Sequence, residues 1–168
     1  MPYATHFAPA DNIIDHLAVA AVGIGDPLVI GQYSGFAAVS GVTVYELAIK
    51  TVFEEFTSKK HKVFGCFCAA YFDRINGRIN LRALKDDYLP RFGERYRTRF
   101  EKLLMNAEAH ELKISGTSIK TSYGNLITWR NEFAHEGRAP TNATFAEVKR
   151  SYAAGKQVIE CLALALIR

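Results

Sequence analysis

The chain has 168 residues, 49% of them apolar and 23% charged, with a net charge of +4. These values exclude a disordered chain and point to one domain, residues 1–168, with a core of its own. No segment repeats at a fixed period, and none is low-complexity.

No Lys or Arg precedes Asp11, and Asp11 and Asp15 interrupt the stretch where a signal peptide would be apolar. Asp11 or Asn12 is expected to cap a first helix through Ile13, Leu17, Ala20 and Ala21, which Gly23, Gly25 and Pro27 break. The run 27–45 is uncharged. It contains Gly31, Gln32, Ser34, Gly35, Ser40, Gly41 and Thr43, too many polar and small residues to span a membrane well. It reads as a turn leading into a buried helix over residues 34–56. Val42, Tyr45, Ile49, Val52 and Phe56 form the apolar stripe of that helix.

Residues 57–62 read as a basic loop with His61 on the surface. A third helix is expected over residues 63–75, ending at an Asn76-Gly77 turn. An irregular stretch carrying Leu81, Leu84, Tyr88, Leu89 and Pro90 precedes a helix over residues 94–109, with Tyr96, Phe100, Leu103 and Leu104 inward. Gly116-Thr117 breaks the chain before a helix with Ile119, Tyr123, Leu126, Ile127 and Phe133, ended by Gly137 and Pro140. Thr144 and Glu147 form a capping box for the last helix. Its Phe145, Val148, Tyr152, Gly155, Ile159, Leu162 and Leu166 follow a heptad-like spacing, so this stripe needs an apolar face within the chain or across a dimer. No segment alternates as a strand would, and an all-α helical bundle is expected.

Cys66, Cys68 and Cys161 are odd in number and irregularly spaced, which argues against a disulfide framework. Cys66-x-Cys68 lacks the second pair that a zinc site would need, and no other metal cluster is evident. Buried, reduced thiols in a cytoplasmic protein are the expectation. The charge is unevenly spread. Residues 59–102 hold twelve Lys or Arg and five Asp or Glu, a net of +7, and the rest of the chain has a net of −3. A concentrated basic middle suits an anionic partner such as nucleic acid, or else a solvated face laced with ion pairs. Arg91, Arg95, Arg97, Arg99 and Lys102 are candidates for a phosphate track, with Arg138 a further phosphate contact.

The segment 128–137 concentrates Arg130, Asn131 and His135 at the end of a helix. Asn131 and His135 are four apart and share a face, so Asn131 could orient the imidazole. Arg130 and His135 lie about 140° apart around an ideal helix. They meet only if the last turn unwinds or the long Arg side chain reaches across. These residue types suit RNA cleavage through the 2′-hydroxyl. Histidine moves protons near neutrality, and arginine offers a planar, permanently charged fork to a phosphorane. They equally suit a plain helix C-terminus, where the helix dipole favours cations.

Arg130-Asn131-x-x-x-His135, followed by Gly137, resembles the R-x(4–6)-H motif of the HEPN superfamily. The size of the helical chain and the long helix after the motif resemble that superfamily too. The resemblance implies a helical bundle that dimerises with both motifs facing one cleft. It implies metal-independent, cofactor-free cleavage of RNA to cyclic-phosphate and 5′-hydroxyl ends, by catalytic Arg130, Asn131 and His135. It also implies a role in toxin–antitoxin or antiviral defence systems, with an antitoxin or other neutralising protein as a possible partner. Glu46 corresponds in place to an acidic group that can support the motif, although an i,i+4 pair with Lys50 is the simpler expectation. Some members of the superfamily have lost the motif and only bind RNA or a partner protein, which is the alternative function.

Overall fold

The computed structural model describes residues 2–75, 77–140 and 143–167. A 3-10 turn (Pro2–His6) runs into α1 (Phe7–Ala20), followed by α2 (Pro27–Ser58) and α3 (Lys62–Phe72). A π turn (Ala83–Tyr88) and a 3-10 turn (Leu89–Phe92) lead to α4 (Glu94–Ser115), α5 (Ile119–Glu136) and α6 (Phe145–Leu166). The described residues contain no strand, and the fold is all-α.

α2 is the central helix, packed on by α1, α3, α5 and α6. It starts well before Ser34, because Asp26 caps it by accepting from the Leu28 N–H at 2.8 Å while Pro27 fills the first turn. The glycines expected to make a turn there are instead places where neighbours come close. A Cβ on Gly35 would collide with the Phe133 ring, and one on Gly41 would lie 2.8 Å from Tyr152. The most apolar window of α2 has a mean hydropathy of 1.4, long and apolar enough to cross a membrane, and 56% of it is buried inside the chain.

α1 also departs from expectation. It begins at Phe7 with no side-chain cap, because His6 is already helical in the preceding turn. Asp11, expected as the cap, pairs with Lys156 on α6. Ile14 enters the core and Ile13 is left outside. α3 stops at Phe72, with Ile75 buried in the loop beyond. His61 is an N-cap as well as a surface residue, its Nδ1 accepting from the Val63 N–H at 3.2 Å. α4 runs past Ala109 to Ser115, where Gly116 takes a left-handed φ of 71°. Asn76, half of the expected turn, lies outside the described residues.

α6 forms as expected. Thr144 Oγ1 accepts from the Glu147 N–H at 3.2 Å, and Glu147 Oε2 accepts from the Thr144 N–H at 2.7 Å. The seven stripe residues are all buried. Their partner faces are α2, α4 and α5 of the same chain, so the stripe is not a free dimer surface.

Two aromatic clusters make the core. Tyr45 on α2 is stacked between Tyr123 on α5 (5.5 Å) and Tyr152 on α6 (5.6 Å), which ties three helices together. At the other end, Phe53, Phe72, Phe92 and Tyr88 pack α2 and α3 against the irregular stretch. Cys68 and Cys161 are buried, whereas Cys66, expected inside, is exposed; all three are free thiols.

Candidate active site at the end of α5

α5 runs antiparallel to α2: Tyr123 stacks on Tyr45, and Phe133 packs where Gly35 leaves room. The helix stays regular through Glu136 and ends at Gly137, φ 66°, with the Arg138 N–H donating to the Glu132 carbonyl at 3.1 Å. No unwinding brings the motif together. The Arg130 side chain reaches across instead, and its Nη1 lies 3.1 Å from His135 Nε2 and 2.9 Å from Asn131 Oδ1.

Arginine only donates, so His135 Nε2 accepts, and the ring hydrogen sits on Nδ1 in this arrangement. Arg130 therefore orients the imidazole, the task expected of Asn131. Asn131 acts one step back, as an acceptor that holds the guanidinium. Asn131 and His135 are exposed and Arg130 is half-buried, so the trio faces outward while the Arg130 guanidinium is held from one side.

What grips it is a loop that the sequence did not connect to the motif. Gly77 has a φ of 78°, and a Cβ there would lie 3.4 Å from Arg130 Nη1, so the guanidinium rests against bare backbone. The Gly77 N–H donates to Glu46 Oε2 at 2.8 Å. Glu46 Oε1 also pairs with Lys50 at 3.1 Å, and Lys50 donates to the Asp73 carbonyl at 3.1 Å. Glu46 thus makes the expected i,i+4 pair and supports the motif only through the loop. Two tyrosine hydroxyls complete the clamp: Tyr88 donates to the Arg78 carbonyl (2.8 Å) and Tyr123 to the Ile79 carbonyl (2.6 Å). Burial pushes the Tyr88 and Tyr123 phenols above the ordinary range, which keeps both as neutral donors. Gly77, Tyr88 and Tyr123 escaped the sequence reading as site residues. The turn-forming glycine was visible, but its proximity to Arg130 is not local in sequence.

The basic start of α4 is not brought to the motif. Tyr96 packs on Phe56, while the Arg130 guanidinium rests on Gly77, whose N–H is held by Glu46. Glu46 and Phe56 are ten residues apart on α2, about 15 Å at 1.5 Å per helical residue. Arg97 is engaged by Asp86 (3.4 Å), Glu94 (3.2 Å) and Glu101 (3.6 Å), and Arg95 lies over the Tyr96 ring. These are the contacts of an ion-paired face. Arg99 and Lys102 form no ion pair among the described residues. Arg138, beside the motif, pairs with Glu136.

Among the described residues no group of three or more His, Cys, Asp or Glu side chains is placed to hold a metal ion. An all-helical bundle with an Arg, an Asn and a His gathered at the open end of one helix has the outline of a HEPN domain. The chain belongs to the RiboL-PSP-HEPN family, whose model matches residues 9–168. Nothing among curated proteins or solved structures matches it.

Proposed function

We propose that this chain is a metal-independent endoribonuclease. The observation that carries the reading is the Arg130–His135 contact, 3.1 Å between Nη1 and Nε2 at an exposed helix end. In the reaction the 2′-oxygen attacks the adjacent phosphorus as its proton passes to a base. The bond from phosphorus to the 5′-oxygen breaks, and that oxygen takes up a proton. The products are a 2′,3′-cyclic phosphate and a 5′-hydroxyl. Arg130 stabilises the negative phosphorane through its fork of donors, and His135 is the proton carrier.

Two proton transfers need two groups, and each motif supplies one histidine. A homodimer with facing motifs answers this. The α6 stripe is used internally, which leaves α2 as the better candidate surface. Phe36, 50% exposed, adjoins the Gly35–Phe133 packing point, and Leu47 is exposed on the same helix. In this reading RNA is the substrate, and the enzyme is a cytoplasmic toxin or antiviral effector held in check by a neutralising protein.

The test is incubation with mixed RNA in EDTA. The wild type cleaves it, and folded His135→Ala does not. Binding without cleavage by the wild type would instead assign a non-catalytic RNA-binding module.

A further inference from the structure

Beside the motif lies a groove of about 480 Å³ walled by Phe67, Tyr71, Arg74, Ile75, Arg78 and Tyr88. Its chemistry is aromatic and cationic. Phe67 presents an unburied ring on α3, with 69% of the residue exposed. Tyr71 stands edge-on to Phe72 (5.1 Å) and Tyr88 (6.4 Å), so the core holds its ring in place while leaving it open to solvent. Arg91 lies 5.1 Å from the centre of the Tyr71 ring and donates to its hydroxyl.

The cations here are poorly neutralised. Arg74 has no acidic partner among the described residues. Arg78 reaches only Asp87, at 3.7 Å, with 75% of its side chain exposed. Position matters as much as composition. Ile75 and Arg78 bracket Gly77, whose backbone lies against the Arg130 guanidinium. One pinned segment is therefore both a wall of the groove and the seat of the motif arginine.

We propose that this groove binds an unstacked base of single-stranded RNA, from a nucleotide close to the phosphate held by Arg130. A base has an apolar face that stacks on the open Phe67 ring, with Tyr71 alongside, and its flanking phosphates meet Arg74 and Arg78. Bases within a duplex are already stacked and paired, so the groove selects unpaired RNA. In its link to Arg130 the proposal rests on the ribonuclease reading, and its test is separable from that reading.

The probe is a short 2′-O-methyl RNA, which lacks the attacking hydroxyl, carrying one 4-thiouridine. It is photocrosslinked to the intact chain, and the adduct is mapped by mass spectrometry. Crosslinks are expected at Phe67 or Tyr71, in wild type and His135→Ala alike, and a duplex of the same sequence should give none. Phe67→Ala should weaken binding of the single strand about tenfold, the usual scale of one lost base–aromatic stack. Phe67→Trp should retain it, and the Arg74→Ala/Arg78→Ala double variant should flatten the salt dependence. All three positions are exposed, so these variants keep the fold, and circular dichroism checks that. Crosslinks elsewhere, no binding, or equal affinity of Phe67→Ala would overturn the groove. A lowered oligomer mass for Phe67→Ala would also overturn it, assigning the face to contact between copies of the chain. Wild type that cleaves RNA with indifferent groove variants keeps the nuclease and loses the groove. Crosslinking at Phe67 without any cleavage does the reverse.

Discussion

Arg130 is the residue on which the site turns. It is the common partner of Asn131 Oδ1 and His135 Nε2, and it is seated on the Gly77 backbone. A lysine there would keep the charge but could not bond Asn131, His135 and a phosphate oxygen from one planar head. Arg130→Ala should therefore lose at least about a hundredfold in kcat/KM, the scale of removing an essential catalytic group. Arg130→Lys should recover only part of this. Asn131→Ala should cost less, about tenfold, because the guanidinium retains its other supports. Steady-state cleavage of a fluorogenic RNA measures all three, and equal activity of Arg130→Lys and wild type would show that the fork is not used. The three residue types were legible in the sequence because they fall within six consecutive residues. Their pairing was legible only as two alternatives, an unwound last turn or a long reach by Arg130, and the regular helix decides for the reach.

Among the elements, the segment 77–79 and α5 act as one unit. Tyr123 is fully buried on α5, and its hydroxyl is the donor for the Ile79 carbonyl. Tyr123→Phe would leave that acceptor unmet and should destabilise the fold by about 1–3 kcal/mol. It should also lower cleavage by loosening the seat of Arg130. A urea midpoint shift with unchanged slope would register the first effect, and kcat the second. Stability and activity both equal to wild type would mean that the clamp does not position the motif. Elements with local signals were readable in advance. The α6 capping box and stripe, and the α5 stop at Gly137, form where the sequence indicates. The start of α2 was misplaced because its glycines resemble turn residues, and only the packed Phe133 and Tyr152 rings reveal their use. The Glu46–Gly77 bond and the Tyr123–Ile79 bond join positions far apart in sequence, with no periodicity to announce them.

At the scale of the molecule, the chain buries its longest apolar stripe within itself and leaves one motif facing outward. The proposed dimer must then use other surfaces, and the exposed Phe36, next to the Gly35–Phe133 packing point, is the candidate. Light scattering should find a dimer. Phe36→Glu should shift it toward monomer and reduce cleavage with it, since a composite site is lost when the copies part. A wild type that is monomeric at every concentration, yet active, would remove the two-histidine mechanism.

The claim that most needs testing is that Arg130 and His135 drive attack by a 2′-hydroxyl. The most direct measurement maps the cut in a defined RNA, in EDTA, and repeats it with a single deoxynucleotide on the 5′ side of that bond. Wild type should leave a 2′,3′-cyclic phosphate on the all-ribose strand and should spare the substituted bond, while His135→Ala leaves both strands whole. Cutting at the deoxynucleotide position at the original rate, or full activity of His135→Ala, would contradict the account.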